Sequence, residues 1–300
     1  MKIFRTYLLF AAVFVLLQTG VGFTAEHKDA SLYMLRMIND ARISPENTLQ
    51  KNGIPKPVAQ ANMGPNAWVL DKGVPPLAWN EALAASALAH ANDMITNLYY
   101  AYDSLNGDTV QDRISDAGYD FVHSGESLGI LSFEKYIPPI QAAEIIFKNM
   151  LAFELGNTID PESCNILDEN KTEAGIAFVS AVVDLGLDVP LNIYMVVADF
   201  ASPSSPRRFV IGNVYARAGN SSDSNRENTL AGLHVKLRTL SDGVSDDSIS
   251  EPNGFFQLER PLGFSIIEVW NETDDALLTV AKIGVFGQNR NILLDILIDK

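Results

Sequence analysis

The chain has one cysteine, Cys164, and four histidines in 300 residues. A single thiol forms no internal disulfide, which excludes a disulfide-stapled scaffold and thiolate-rich zinc knuckles. Basic side chains are also scarce, 22 against 37 acidic, for a formal charge of −15. Neutralising phosphates requires a basic face, so nucleic acid is not an expected partner, and electrostatic docking on anionic lipid is disfavoured. Beyond the N-terminus no stretch reaches about 18 uninterrupted apolar residues, the length a membrane helix needs. The rest of the composition, 47% hydrophobic and 20% charged, is that of a globular protein, and the length predicts roughly two domains.

The N-terminus is different. Lys2 and Arg5 precede an apolar run from Tyr7 to Leu17, too short to span a bilayer, and the small residues Gly20, Val21, Gly22 and Ala25 follow. Residues 1–25 thus read as a secretory signal peptide, cut after Gly22 or after Ala25, with an uncleaved anchor as the alternative. No cysteine follows the small residues, which argues against a lipoprotein anchor. A secreted or periplasmic protein of a bacterial envelope is the expectation, with no integral span left after cleavage. Cys164 reads as a small buried apolar residue.

Residues 26–202 read as helices with a few late strands. Ser31 is placed to cap a first helix with Leu32, Leu35, Met37, Ile38 and Ala41 on its apolar side. Gly53 to Pro76 reads as a long loop, Glu81–Asn97 and Pro139–Leu155 as helices, and Gly175–Val183 and Leu191–Phe200 as strands. Residues 203–208, which overlap the run Ser-Pro-Ser-Ser-Pro at Ser202 to Pro206, form a linker by composition. From 209 to 300 short apolar runs alternate with polar tracts, among them Ser241 to Asn253, the pattern of a small all-β sandwich. The acidic excess lies mainly in the first part: 24 acidic against 11 basic residues over 26–207.

Several pieces of the first part resemble, in order, the CAP superfamily, the SCP-like group of cysteine-rich secretory, antigen 5 and pathogenesis-related proteins. They are Ile38-Asn39-Asp40-Ala41-Arg42, Pro76-Leu77-Ala78-Trp79, Ala89-His90-Ala91-Asn92-Asp93-Met94, Asn106-Gly107, Asp112-Arg113-Ile114, Ala117-Gly118-Tyr119, Gly125-Glu126-Ser127-Leu128, Asn165-Ile166-Leu167, Glu173-Ala174-Gly175-Ile176 and Ala198-Asp199-Phe200. The resemblance implies an α+β fold: a CAP-type α-β-α sandwich followed by the small β-sandwich. In the latter, Gly212-Asn213-Val214-Tyr215, Leu230 to Leu237 and Pro252 to Phe256 resemble prealbumin-like or carboxypeptidase-regulatory domains.

The departures from the family pattern bear on function. The resemblance implies a cleft with two His and two Glu able to hold a divalent metal. Tyr102 stands at the first His position and Glu162 at the second, whereas Glu126 is retained and Glu154 corresponds loosely to the other Glu. With both imidazoles gone, no zinc site and no cofactor are expected. An all-oxygen calcium site from Glu126, Glu154 and Glu162 is an alternative to a solvated acidic cleft. Glu126 reads as a structural carboxylate rather than a general base, His90 as a helix residue, and His123 as part of a loop before Gly125. Two function classes follow: a non-catalytic binding protein for an apolar or cell-envelope ligand, or an envelope hydrolase, of protease or wall-active type, using the acidic cleft. The loss of both histidines favours binding.

Overall fold

The structure, a computed structural model, describes residues 21–156, 164–184, 189–216, 228–239, 243–260, 263–271, 276–285 and 290–298. In chain order the first part runs β1 (Val21–Glu26), α1 (Lys28–Ile43), α2 (Pro45–Asn52), α3 (Lys56–Met63), α4 (Val69–Lys72), β2 (Ala78–Trp79), α5 (Glu81–Thr96), α6 (Val110–Asp116), β3 (Phe121–Phe133), α7 (Pro139–Gly156), β4 (Glu173–Val183) and β5 (Leu191–Pro203). The long strands form an antiparallel sheet in the order β1-β4-β5-β3, and β2 pairs parallel with β4. Helices α1 and α7 cover one face and α5 the other, giving three layers. Covering both faces accounts for the nearly unbroken apolar runs of β4 and β5, where a sheet wet on one side would alternate.

The local reasons are specific. Helix α5 starts where Asn80 caps it, its side-chain oxygen accepting from the amides of Ala82 and Leu83. Gly175 lets this helix rest on β4: a Cβ there would lie 1.9 Å from the Ala84 nitrogen. A capping box between Thr109 and Asp112 starts α6. Helix α1 begins at Lys28, ahead of the expected cap, and Ser31 lies inside it. The stretch from Gly53 to Pro76, expected as a loop, holds α3, a 3-10 turn at Gly64–Trp68 and α4. Proline is tolerated in a first turn, where its missing N–H costs nothing, so Pro57 and Pro65 mark helix starts as readily as loops. The 13-residue strand β3, with His123 in it, also departs from the expected loop. Its glycines and serines hid a strand that the register with β5 enforces.

The segment read as a signal peptide overlaps the fold at its end. Residues 1–20 lie outside the described residues, and β1 enters the sheet with Thr24, Ala25 and Glu26 opposite Ala181, Ser180 and Val179.

The C-terminal part contributes β6 (Phe209–Ala216), β7 (Leu233–Thr239), β8 (Gly243–Ile249), β9 (Phe255–Glu259), β10 (Gly263–Asn271), β11 (Ala276–Val285), β12 (Ile292–Leu293) and β13 (Ile296–Ile298). One sheet is ordered β11-β10-β7-β8; in the other β6 pairs with β9, β12 and β13. Both contribute to one apolar cluster that includes Val214, Val235, Phe256 and Ile267, so the two sheets pack face to face. Strand β8 falls within the polar tract expected to be loop: its sequence, Gly-Val-Ser-Asp-Asp-Ser-Ile, carries little apolar signal and is held by pairing with β7.

The sheets of the two parts separate on either side of residues 204–208, yet packing and hydrogen bonds cross that line. Phe209, Ile211 and Phe255 belong to the same apolar cluster as Leu77 and Trp79. The Gln257 amide accepts from Trp79 N at 2.6 Å and donates to Trp79 O at 3.0 Å, pairing with that backbone as a neighbouring strand would. Asn291 donates to Pro76 O and Thr172 O, and its oxygen accepts from Phe209 N. Arg36, 8% exposed, donates from Nη2 to Asp295 at 2.6 Å and from Nη1 to Asn213.

Candidate functional site

Strand β3 is an edge of the first sheet, and alternation along it sends Glu126 to the α5 side and Ser127 to the α7 side. Glu126 is 5% exposed. Its Oε1 accepts from Arg113 Nη2 at 2.8 Å and from His90 Nδ1 at 3.0 Å. The carboxylate partner assigns the His90 proton to Nδ1. Arg113 donates further to Ser104 Oγ, Asp108 O and Tyr102 O, fastening the 102–108 loop to the buried carboxylate.

Directly opposite Glu126 in the β3–β5 register stands Asp199, fully buried. Two carboxylates facing each other in a dry site do not both ionise. Burial, and then the charge of Glu126, push the Asp199 carboxyl well above the ordinary range, with the Ser86 hydroxyl opposing the shift. Neither Asp199 oxygen, nor Glu126 Oε2, nor Ser86 Oγ meets a partner in good hydrogen-bond geometry, although the three side chains face one another. Burial and Glu126 thus favour the protonated form of Asp199, while Glu126 Oε1 is paired with Arg113 and His90.

Glu154, on α7, lies across the sheet from Glu126. Its Oε1 accepts from the Ser127 hydroxyl and its Oε2 from Ile166 N at 3.0 Å, with the Cys164 thiol beside it. Burial pushes its carboxyl up to about 7. Glu126 and Glu154 thus lie on opposite faces of the sheet beside its β3 edge, and the charge of each reaches Tyr102. Glu162 lies outside the described residues, and among the described residues no three His, Cys, Asp or Glu side chains are grouped as a metal would require. Cys164 is buried, and its thiol is raised well above its ordinary value by burial and by Glu154.

Glu154 gives a direct expectation. Its folded-state value lies above the roughly 4.5 of an unfolded chain, so the stability it contributes is complete below pH 4.5 and is lost as pH rises to about 7. The loss is on the order of 3 kcal/mol. Glu154→Gln removes this titration, so the variant gains on the wild type by that order between pH 4.5 and 8. Urea unfolding of both proteins at the two pH values measures it; a constant difference contradicts the assignment.

Tyr102 is half-exposed at the rim. Burial, then Glu154 and Glu126, raise its hydroxyl above the ordinary value. Beside it, a groove of about 390 Å³ follows the β3 edge, walled by Tyr100, Leu128, Ile130, Ile146, Met150 and Phe153. Glycine at position 129 keeps the strand close to α7: a Cβ there would lie 2.4 Å from Ile146 Cγ2. Sequence reasoning identified Tyr102, Glu126 and Glu154 but missed Asp199 and the pairing of His90 with Glu126. The spacing Ser86 to His90, one helical turn on the face of α5 toward the sheet, was the available signal.

The profile of the cysteine-rich secretory protein (CAP) family matches residues 35–186, just over half of the 300-residue chain. The chain belongs to the CAP family. The matched span includes Arg113, Glu126 and Glu154 and ends before Asp199. The crystal structure of an extracellular protein containing a SCP domain, from Bacillus anthracis str. Ames, is similar to this CAP chain at 23% identity, with a TM-score of 0.28. The similarity covers 43% of this chain and 34% of that one, so the CAP chain spans about a third of that protein's length. No curated protein matches significantly. Among the described residues, no helix is long and apolar enough to cross a membrane.

Proposed function

We propose that the protein is a secreted or periplasmic, non-catalytic binding protein whose groove along β3 takes an apolar or cell-envelope ligand. The observation that carries this reading is the groove itself: apolar and aromatic side chains surround an edge strand, while Glu126 does not line it and its Oε1 is engaged by Arg113 and His90. A sheltered apolar groove gains roughly 25 cal/mol for each Å² of apolar ligand surface it covers. Tyr102 at the rim adds a hydroxyl able to orient a polar headgroup. Envelope hydrolysis is the alternative; it requires Glu126, paired with Arg113 and His90, to act as a general base.

Ile130 is 43% exposed, so Ile130→Arg is compatible with folding. Mass spectrometry of organic extracts of the purified protein is expected to find an apolar ligand in the wild type. At least a tenfold loss is expected in the variant. Equal loading of both proteins contradicts the groove as the site.

Export is part of the reading. Cleavage after Gly22 keeps Thr24, Ala25 and Glu26 in the sheet, whereas cleavage after Ala25 removes most of β1. The expected mature N-terminus is therefore Phe23. N-terminal sequencing of envelope protein checks it, and an intact Met1 contradicts cleavage.

A further inference from the structure

At the seam between the two parts lies a polar pocket of about 260 Å³, lined by Lys72, Gly73 and Val74 at the end of α4 and by Arg260, Arg290 and Asn291 of the C-terminal part. Three cations meet there, and none of the described lining residues is acidic. In a chain with 22 basic and 37 acidic side chains such a wall is anomalous. The neighbouring acids are engaged elsewhere, Asp71 with Lys56 at 2.8 Å and Glu259 with Arg207 at 2.6 Å.

Arg260 is 4% exposed and donates from Nη2 to Arg290 O at 2.7 Å. Its amide donates to Arg208 O, and the Arg208 side chain lies close enough to disfavour its charge, which burial already disfavours. Gathering like charges out of water is costly. An anion seated between Lys72, Arg260 and Arg290 reverses the sign of that cost. Guanidinium forks match the geometry of phosphate oxygens, and a lysine supplies a point charge.

We propose that this seam pocket binds a phosphate group, as free phosphate or as a phosphomonoester, and that the bound anion ties the C-terminal part to the CAP fold. The pocket lies apart from the β3 groove and shares no residue with it. The ligand contacts Lys72 from one part and Arg260 and Arg290 from the other, so its occupancy strengthens the seam.

The test uses the full chain, titrated calorimetrically with inorganic phosphate at constant ionic strength set by sodium chloride. Expected are one site per chain and a melting temperature raised by phosphate but not by chloride. Lys72 and Arg290 are exposed, so Lys72→Gln with Arg290→Gln leaves folding intact, whereas Arg260→Gln risks unfolding. The double variant is expected to bind phosphate at least tenfold more weakly and to lose the phosphate-dependent rise. Glucose 6-phosphate is the second arm: competition with phosphate identifies a phosphomonoester site, and its failure to compete identifies free phosphate. No saturable binding above the chloride background, or equal affinity in wild type and double variant, overturns the proposal.

Discussion

Arg42→Met is expected to destabilise the protein by about 3–5 kcal/mol, the largest effect of any single substitution considered. Arg42 is completely buried on α1. It donates from Nε to Pro75 O at 2.7 Å, from Nη1 to Ile166 O at 2.9 Å and Asp168 O at 3.0 Å, and from Nη2 to Lys171 O at 2.9 Å. Burial lowers its value to about 9, opposed by Asp168 and Cys164, so it stays charged at neutral pH. The carbonyls replace the water that the guanidinium lost. Methionine fills much of the volume but leaves four carbonyls facing apolar atoms, each costing about 1–3 kcal/mol before relaxation. Lysine keeps the charge without the planar fork, so Arg42→Lys should cost roughly half as much. Urea unfolding measures both. A loss below about 1 kcal/mol for methionine would mean that water replaces these bonds with ease.

Arg42 also shows why much of this fold is legible in the sequence. In Ile38-Asn39-Asp40-Ala41-Arg42, Asn39 both donates to Leu77 O and accepts from Leu77 N, while three residues later Arg42 holds Pro75 O. One face of α1 thus clamps the segment that carries Pro76-Leu77-Ala78-Trp79. The other motif pieces have comparable tasks. Asn165 donates to Glu126 O, and a Cβ on Gly125 would lie 2.0 Å from Asn165 Oδ1. Tyr119 and Asn80 both donate to Glu173. Such residues are conspicuous because each is a polar or glycine position inside an apolar context. The helices α5 and α7 were legible for a simpler reason, their long apolar periodicity.

What the sequence concealed is cross-strand and cross-sheet geometry. Glu126 and Glu154 are both acidic, and nothing local reveals that alternation along β3 sends Glu126 to one face and Ser127, which meets Glu154 of α7, to the other. Asp199 reads as one polar residue in the strand Met195-Val196-Val197-Ala198-Asp199-Phe200, and only the register with β3 brings it to Glu126. The seam is similar: Arg36 and Asp295 are 259 positions apart, and their pairing follows from how the sheets dock.

The substitution that separates binding from hydrolysis is Glu126→Gln, expected to cost about 2–4 kcal/mol in stability while leaving ligand capture by the folded protein intact. The amide cannot neutralise Arg113, whose side chain is only 9% exposed, and it accepts more weakly from His90. Arg113 would retain Tyr102 O, Ser104 Oγ and Asp108 O, which limits the loss. Asp199→Asn provides the control. Burial and Glu126 favour the protonated form of Asp199, so an amide in its place that donates to Glu126 should change stability by less than about 1 kcal/mol at pH 7. If both carboxylates were ionised, the same change would relieve a buried like-charge contact and stabilise the protein by several kcal/mol. Thermal and urea unfolding of the two variants therefore test the charge assignment, and assays on peptide, ester and glycan substrates test the function. A general base at Glu126 would give a different pattern: turnover reduced by about two to four orders of magnitude with the melting temperature unchanged. That result would show that Arg113 and His90 position a catalytic carboxylate, and it would replace the binding reading with the hydrolytic one.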